Sequence, residues 1–394
     1  MSRRNLRSIE LFTGAGGLAL GLEAAGWEHV ALLERDADAC ATIRLNNHGR
    51  CSLVHDWRLL EGDVRAVRFS ELTSNIELVA GGPPCQPFSL GGKHRGSGDH
   101  RDMFPEAVRA VRELTPRVFV FENVKGLLRQ SFSRYLGYVI LQLTYPTLVC
   151  GETEMWQEHL ARLERHHTSA KETELEYRVV FRLLNAADYG VPQYRHRVFI
   201  VGFRKDVGRE WSFPKETHNL DKLLWEQWVT GEYWDDHKVA RKDRPQLPEK
   251  LRARIARLKT DYTLVPPSGL RYQTVRDALR GIPDPRDPQK NVVFKNHEFR
   301  PGARAYPGHT GSNLDEPSKT LKAGDHGVPG GENMLRLSTG ELRYFTVRES
   351  ARLQTFPDDY EFSGSWTECM RQIGNAVPVR LAGMVGQSIL SQAH

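Results

Sequence analysis

Residues 76–89 read IELVAGGPPCQPFS, an apolar run followed by two glycines and a cysteine that is enclosed by prolines. The apolar run at 76–80 predicts a buried β-strand. Proline fixes φ and removes a backbone donor, so the turn after the strand cannot continue as helix or as a strand ladder. The segment therefore presents Cys85 on a stiff turn at the carboxyl end of a strand, where crevices form in open α/β sheets.

Strand and helix patterns alternate on both sides of this segment up to about residue 205. Strands are predicted at 7–12, 29–33, 78–80, 118–121, 178–184 and 197–203, and helices at 18–25, 36–46 and 102–114. Two further helices are predicted near the C-terminus, at 347–353 and 379–390. This alternation predicts an α/β fold with a Rossmann-like domain, in which helices cover a mostly parallel sheet. After residue 205 the content of proline, tryptophan and charge rises and the alternation fades. We therefore predict one domain at 1–204 and 369–394, and a smaller irregular domain at 205–368.

The composition is that of an ordinary globular protein, with 394 residues, 39% hydrophobic and 26% charged. No apolar run approaches the roughly 18 residues of a membrane span, and the N-terminus lacks the apolar core of a secretory signal. The five cysteines are odd in number and show no CxxC spacing, so neither a disulfide framework nor a metal site is predicted. These features predict a cytoplasmic protein without membrane association, and we expect a monomer.

Positive charge is concentrated in one segment. The net charge is +6, and residues 238–259 carry nine basic residues against two acidic ones. Such a patch suits a nucleic-acid phosphate backbone. A solvated helix face is the alternative, and charge alone does not decide between them.

A glycine-rich turn, FTGAGG at residues 12–17, connects the first predicted strand to the first helix. Glycines let a ligand approach the backbone, and the helix start offers free N–H groups. Glu34 ends the second strand 20 residues after Gly14, where a ribose-binding carboxylate belongs in a Rossmann-like fold. Asp63 is a candidate for an adenine amino group. The alternative is a tight turn with Glu34 on the surface.

The glycine spacing also indicates the kind of cofactor. After Gly17 the chain continues with Leu18, so the third glycine of a dinucleotide fingerprint is missing. This favours a cofactor with one nucleoside and no pyrophosphate, such as S-adenosyl-L-methionine.

Cys85 has a candidate partner in Glu122, which follows the strand at 118–121. Burial at a strand end would raise the pKa of Glu122 and let it hold or deliver a proton. A thiolate and a carboxylic acid suit attack on an electron-poor ring and protonation of a ring nitrogen. The alternative is that Cys85 is a small buried hydrophobic residue and Glu122 lies beside a helix cap.

Two arginines lie in the segment QYRHR at 193–197. If this segment is a strand, Arg195 and Arg197 share one face and aim at one spot. Paired guanidinium groups suit a phosphate or the polar edge of a base. An exposed strand end with solvated arginines is the alternative.

Together these residues resemble a known family, the DNA (cytosine-5)-methyltransferases of bacterial restriction-modification type. The resemblance covers most of the chain in order: Phe12-x-Gly14-x-Gly16-Gly17, Glu34, Asp63, Gly82-Pro83-Pro84-Cys85-Gln86, Glu122-Asn123-Val124, Gln193-x-Arg195-x-Arg197, Arg348-Glu349-x-Ala351-Arg352-Leu353-Gln354-x-Phe356-Pro357 and Gly374-Asn375-Ala376-Val377-Pro378. One departure is Glu10-Leu11-Phe12, where family members commonly have Asp-Leu-Phe. Another is Arg35, where some members carry an aromatic residue that stacks on adenine.

The resemblance implies a methyltransferase that uses S-adenosyl-L-methionine, with Cys85 adding to C6 of cytosine and Glu122 contacting N3. Arg197, with Arg195 beside it, would support the flipped base. Phe12 would lie against adenine, and the turn at 375–378 would pack near the methionine part. The cofactor residues predicted in all are Phe12, Gly14, Gly16, Gly17, Leu18, Glu34, Asp63, Pro84, Asn375 and Val377.

The resemblance also implies double-stranded DNA as partner and a target-recognition role for 205–368. The glycine-rich, basic loop at 89–98 is predicted to close over DNA like a lid. The DNA-binding residues predicted here are Gln86, Ser89, Lys93 and Arg95. A companion restriction endonuclease is expected in the same system, though not as a stable partner. The alternatives are an RNA cytosine-5 methyltransferase, a catalytically silent DNA-binding protein on the same scaffold and, more distantly, a Rossmann dehydrogenase.

Overall fold

The structure is a computed structural model that describes residues 6–47, 51–54, 57–72, 75–84, 102–169, 173–208, 210–287, 293–307, 309–323 and 333–393. The strands are β1 (Leu6–Leu11), β2 (Trp27–Glu34), β3 (Leu59–Glu61), β4 (Leu78–Gly81), β5 (Val118–Val124), β6 (Tyr177–Asn185), β7 (His196–Arg204), β8 (His218–Asn219), β9 (Leu270–Arg271), β10 (Ser312–Asn313), β11 (Met334–Arg336) and β12 (Leu342–Tyr344). The α-helices are α1 (Gly17–Ala25), α2 (Ala37–Asn46), α3 (Phe69–Leu72), α4 (Phe104–Leu114), α5 (Ser133–Thr144), α6 (Trp156–Ser169), α7 (Leu220–Trp225), α8 (Glu232–Asp236), α9 (Glu249–Asp261), α10 (Val275–Ala278), α11 (Val347–Leu353), α12 (Trp366–Asn375) and α13 (Val379–Ala393).

A sheet of seven strands in the order β3-β2-β1-β4-β5-β7-β6 forms the centre of the described molecule. The first five strands in that order pair in parallel, whereas β7 is antiparallel to both of its neighbours. Only β7 among these seven strands therefore runs in the opposite direction. The predicted α/β fold with a mostly parallel sheet is confirmed.

The strand order reverses between β1 and β4. The chain builds outward from β1 through β2 to β3, and then returns to place β4 on the other side of β1. Connections that diverge in this way leave a crevice at the carboxyl ends of the two central strands. The glycine-rich turn follows β1, and the proline-rich turn follows β4, so both turns border that crevice.

Helices cover both faces of the sheet. On one face α1 and α13 pack on the central strands, and Trp27 donates from Nε1 to the carbonyl of Gly386 at 3.2 Å. These two helices approach closely, since a Cβ on Gly21 would lie 2.4 Å from the Cβ of Ala382. On the other face α4 and α5 bury apolar side chains against β1, β4 and β5. The C-terminal helix thus completes the layer that the N-terminal helix begins.

The segment at 133–169 forms a helical hairpin in which α5 packs on the sheet layer and α6 packs on α5. Beyond residue 205 the elements are shorter. A cluster of Leu224, Ile255 and Leu258 holds α7 and α9 together, and β10, β11 and β12 form a small sheet. Helices α11 and α12 share a core with α1 and β2. Among the described helices, none has the length and apolar character needed to cross a membrane.

Candidate active site

A cavity of about 430 Å³ opens at the carboxyl ends of β1, β2, β4 and β5. Its wall includes eight of the residues predicted to bind a cofactor: Phe12, Gly14, Leu18, Glu34, Asp63, Pro84, Asn375 and Val377. Glu122, predicted as catalytic, also lines it. The structure therefore brings the glycine turn, the acidic strand ends and the proline turn to one crevice.

The turn at 12–16 shows why its glycines are needed. Gly14 and Gly16 have φ values of 56° and 80°, which side-chain-bearing residues rarely adopt. A Cβ on Gly14 would meet no described atom within 4 Å, whereas the N–H of Gly14 donates to Glu34 Oε2 at 2.7 Å. Gly14 therefore leaves open space beside the turn, and its backbone fixes the orientation of Glu34.

Gly16 and Gly17, also predicted to bind the cofactor, do not line the cavity. A Cβ on Gly16 would lie 3.1 Å from the hydroxyl of Tyr360, and one on Gly17 would lie 2.4 Å from the carbonyl oxygen of Val377. These glycines let the start of α1 pack against other segments. The close contact with Val377 brings the turn after α12 to the cavity wall.

Two carboxylates border the β2–β3 side of the cavity. Glu34 Oε1 accepts from the backbone N–H groups of Arg35 and Asp36, each at 2.8 Å. Asp63 accepts from the backbone N–H of Arg65 at 3.0 Å, and hydrogen bonds from Arg65 lower its pKa to about 2. Both side chains are held in place and offer acceptor oxygens, as recognition of ribose hydroxyls and an adenine amino group would require.

Glu122 faces Arg197 at the opposite side of the cavity. The two form an ion pair, with Arg197 Nε 2.7 Å from Glu122 Oε1. The antiparallel pairing of β5 with β7 explains this contact, because it sets Arg197 opposite Val124, diagonal to Glu122. Glu122 is only 7% exposed. Burial raises its pKa, against the opposing effect of the positive charges of Arg197 and Arg195.

Asn123 connects this pair to the proline turn. Its Nδ2 donates to the carbonyl of Pro83 at 2.9 Å, and its Oδ1 accepts from the N–H of Val124. Gly82 lies beside Glu122, since a Cβ there would be 3.6 Å from Oε2. The Glu-Asn-Val motif thus aims an acidic group into the cavity and fixes the turn that leads to Cys85.

Five predicted residues lie outside the described residues: Cys85, Gln86, Ser89, Lys93 and Arg95. The structure describes the chain up to Pro84, which lines the cavity, and again from Asp102 onward. The Pro84 carbonyl accepts from the N–H of Met103 at 3.3 Å.

Arg195 does not join the ion pair, contrary to the prediction that it aims at the same spot as Arg197. Its Nη1 donates to the carbonyl of Leu321 at 3.0 Å, and its Nη2 donates to the carbonyls of Gly374 and Ala376 at 2.7 and 2.9 Å. The reason is that β7 begins at His196, so strand alternation does not extend to Arg195. The side chain is fully buried and connects the start of β7 to two other backbone segments, at 321 and at 374–376.

Several residues of the cavity wall were missed by sequence reasoning, among them Asp36, Arg371 and Gln372. Arg371 on α12 pairs with Asp36 at 2.9 Å and so connects the motif-bearing helix to the end of β2. Arg371 and Gln372 lie one turn or less before the Gly374-Asn375 motif, which was the signal available for them. Glu10, which keeps the negative charge of the aspartate common in the family, also lines the cavity.

Four of the nine basic side chains in the segment at 238–259 form ion pairs, and three of these four lie on α9. On α9, Arg252, Arg254 and Arg257 contact Glu249, Asp221 and Asp261 at 2.9, 2.6 and 3.7 Å respectively. These contacts favour the interpretation of α9 as a solvated helix face over that of a phosphate-binding patch.

The chain is similar in sequence to known proteins over most of its length. The family model for C-5 cytosine-specific DNA methylase matches residues 6–145 and 157–391. The chain is 33% identical over 389 residues to the Type II methyltransferase M.PspPI of Psychrobacter sp. (strain TA137), covering 98% of this chain and 79% of that protein. It is 34% identical over 387 residues to the Type II methyltransferase M.Eco47II of Escherichia coli, covering 97% and 78%.

A solved structure supports the fold. The crystal structure of the S. pombe Dnmt2 methyltransferase superposes with a TM-score of 0.56 at 18% identity, over 98% of this chain and 99% of that one. At this identity the likeness concerns the fold alone.

Proposed function

The chain belongs to the C-5 cytosine-specific DNA methylase family, and on this premise we propose that it transfers a methyl group from S-adenosyl-L-methionine to C5 of a cytosine within a specific duplex DNA sequence. The observation that carries the proposal is the position of Glu122, which is held by an ion pair with Arg197 and lines the same cavity as the glycine turn and Glu34. One cavity thus contains Glu34, which is suited to bind a nucleoside, and Glu122, which is suited to hold a proton.

The described residues fit S-adenosyl-L-methionine. Glu34 and Asp63 offer fixed carboxylate acceptors for the adenosine hydroxyl and amino groups, Phe12 offers an aromatic ring, and Gly14 leaves space for close approach. Asn375 and Val377 complete the wall for the methionine part. When bound, this cofactor supplies a methyl group made electrophilic by a positively charged sulfur.

Cys85 is the proposed nucleophile. Its thiolate forms a bond to C6 of cytosine, and the electrons of the C5–C6 double bond move towards C5, which thereby becomes nucleophilic. Once C5 carries the methyl group, the C5 proton passes to solvent, the electrons of the C5–H bond restore the C5–C6 double bond, and the bond from Cys85 to C6 breaks. Cys85 is regenerated as a thiolate.

Glu122 assists by donating a hydrogen bond or a proton to N3 of the ring. Burial raises its pKa, so a larger fraction of the side chain carries a proton near neutral pH than an exposed glutamate would. Arg197 holds the carboxyl group in one orientation through the 2.7 Å ion pair, and its charge keeps the pKa from rising further.

The DNA partner follows from the position of the reacting atoms. C5 and C6 of a stacked base cannot be reached by a thiol inside a cavity, so the cytosine has to be extruded from the duplex. We assign target recognition to residues 205–368 and closure over the DNA to the loop at 89–98. Because relatives of this chain are named Type II methyltransferases, we further propose that it acts as a cytoplasmic monomer that protects host DNA from a companion endonuclease.

The proposal is tested by bisulfite sequencing of DNA from a host that lacks cytosine methylation and expresses this chain. We expect 5-methylcytosine in one sequence context, and none when Cys85→Ser is expressed at the same level. Absence of 5-methylcytosine from the DNA of the host that expresses the wild-type chain, or equal methylation by Cys85→Ser, would overturn the proposal.

A further inference from the structure

A segment rich in positive charge leads away from the active-site cavity. Residues 125–134, from the end of β5 into the first turn of α5, read KGLLRQSFSR and contain the basic residues Lys125, Arg129 and Arg134 but no acidic residue. All three basic residues are exposed. Val124, which directly precedes the segment, is 50% exposed and lines the cavity. The positive charges therefore begin at the rim of the cavity.

Core packing and turns fix the position of this segment. Leu127 is 2% exposed and belongs to the core on the α4 and α5 face of the sheet. Short 3-10 turns at 125–128 and 130–132 shape the backbone, and the N–H of Arg129 donates to the carbonyl of Gly126 at 3.1 Å. A 3-10 helix rises about 2 Å per residue, so Lys125 and Arg129 lie roughly 8 Å apart along the segment. Their side chains thus start from fixed positions on the surface.

Neither Lys125 nor Arg129 is neutralised within the described part of the chain, where their side chains form no ion pair and no hydrogen bond. Lys125 lies near the start of β7 instead, since burial and then the positive charge of Lys125 lower the pKa of His196. The arginines of α9, by contrast, are ion-paired. Unpaired cations beside a cavity attract an anionic partner.

The path of the target base brings DNA next to these residues. Side chains at positions i and i+2 of a strand share a face, and Glu122 and Val124 on β5 both line the cavity. A cytosine that is extruded from a duplex stays joined to its two neighbours through phosphates. A base that reaches Glu122 therefore carries those phosphates to the rim of the cavity, where Lys125 follows Val124.

We propose that Lys125 and Arg129 bind phosphates of the DNA strand that carries the target cytosine, an inference that rests on the function proposed above. Lys125 is placed for a phosphate next to the extruded nucleotide, and Arg129 for one further along the same strand. Both side chains combine N–H donors with a positive charge, which suits phosphate oxygens. This contact positions the duplex and reads no base, so it is separate from target recognition by residues 205–368.

The salt dependence of DNA binding tests the proposal. Fluorescence anisotropy measures it with a labelled duplex that carries the methylated sequence context, in the presence of S-adenosyl-L-homocysteine so that no turnover occurs. Each phosphate contact contributes about 0.9 to the steepness with which log K falls against log salt concentration. We expect Lys125→Gln with Arg129→Gln to reduce that steepness by about 2, and to weaken binding about tenfold or more at about 0.15 M salt.

The matched control is Arg117→Gln with Arg178→Gln, which removes the same amount of charge at the other end of the sheet. Arg117 directly precedes β5. Arg178 on β6 is opposite Phe203, which also pairs with Val118 at the start of β5. Both arginines therefore lie at the amino end of β5, away from the cavity. This control should keep the wild-type salt dependence and an affinity within about twofold of the wild-type value.

Lys125→Arg with Arg129→Lys keeps both charges and should keep the salt dependence as well, while thermal unfolding verifies that each variant folds. If the double glutamine variant does not fold, each single glutamine variant should lower the steepness by about 1. An unchanged salt dependence in the glutamine variants, or an equal loss in the control, would overturn the inference. If the wild-type protein bound and methylated no duplex, the proposed function itself would fail, so the two failures are distinguishable.

Discussion

Glu122 is the residue on whose protonation the proposed chemistry depends most directly. Replacing it by glutamine keeps the shape of the side chain and removes the titrating proton. We expect Glu122→Gln to lower kcat by about 100-fold or more, the usual range for acid–base assistance, with DNA binding little changed.

Single-turnover kinetics with saturating DNA measure this effect. Glu71→Gln is the control, because Glu71 is also paired with an arginine, Arg68, but on the exposed surface. Equal rates in the two variants would remove Glu122 from the mechanism.

Arg197 gives a pH-dependent prediction with a definite sign. Its charge lowers the pKa of Glu122, so Arg197→Ala should raise that pKa. Glu122 then loses its proton at a higher pH, and the alkaline limb of the kcat/KM profile should move upward in pH even as the rate falls. A limb that moves downward, or stays in place, would contradict the assigned coupling.

At the residue scale, the motifs predicted most of the cavity wall because each lies at a strand end, where a parallel fold gathers polar groups. The prediction that the Arg195 side chain points to the same place as that of Arg197 was wrong. It applied the alternation of side chains in a strand to a residue that precedes β7. The burial of Glu10 was not predicted, since an acidic residue in a strand reads as the polar half of an alternation. Only the pairing of β1 with β2 and β4 reveals that it is buried.

At the scale of elements, Arg195 fixes the start of β7 to the segments at 321 and 374–376. Arg195→Met would leave three buried carbonyls without their charged donor, and we expect a loss of about 3 kcal/mol in the free energy of unfolding. Denaturant unfolding measures this, with the exposed Arg178→Met on β6 as control. Equal unfolding free energies for the two variants would show that the three hydrogen bonds contribute nothing.

The contact of α1 with α13 provides a second test at this scale. Gly21→Ala would place a Cβ 2.5 Å from the carbonyl of Val379 as well as against Ala382, and we expect it to destabilise the protein by about 2 kcal/mol. Gly137→Ala, within α5, meets no described atom within 4 Å and should stabilise by about 0.5–1 kcal/mol because alanine favours helix. Thermal unfolding of both variants checks the difference in sign, and a stable Gly21→Ala would mean that the helices are further apart.

Most elements of the sheet layers were predictable to within a few residues, since apolar runs and periodicity mark them directly. The antiparallel direction of β7 was not, because hydrophobic pattern carries no information about strand direction. The hairpin of α5 and α6 also went unpredicted. The apolar residues of α5 and α6 pack against each other, and α5 also packs on the sheet. The local sequence pattern does not indicate which elements these residues pack against.

For the molecule as a whole, the strand order explains why two motif-bearing turns meet at one crevice. The reversal between β1 and β4 sets the glycine-rich turn after β1 beside the proline-rich turn that precedes Cys85. The rule for parallel sheets was enough to predict this meeting place. The DNA sequence that the proposed function would require, and the side chains that would read it, could not be predicted, because the irregular segments beyond residue 205 follow no repeating physical constraint.

The most direct test of the account uses a DNA duplex with 5-fluorocytosine at the target position, incubated with the protein and S-adenosyl-L-methionine. Fluorine replaces the proton that has to leave C5, so the bond from Cys85 to C6 cannot break. We predict a covalent protein–DNA adduct that survives denaturing electrophoresis, maps to Cys85 by mass spectrometry and is absent in Cys85→Ser. Continued methylation by Cys85→Ser, or an active wild-type protein that forms no adduct, would contradict the account.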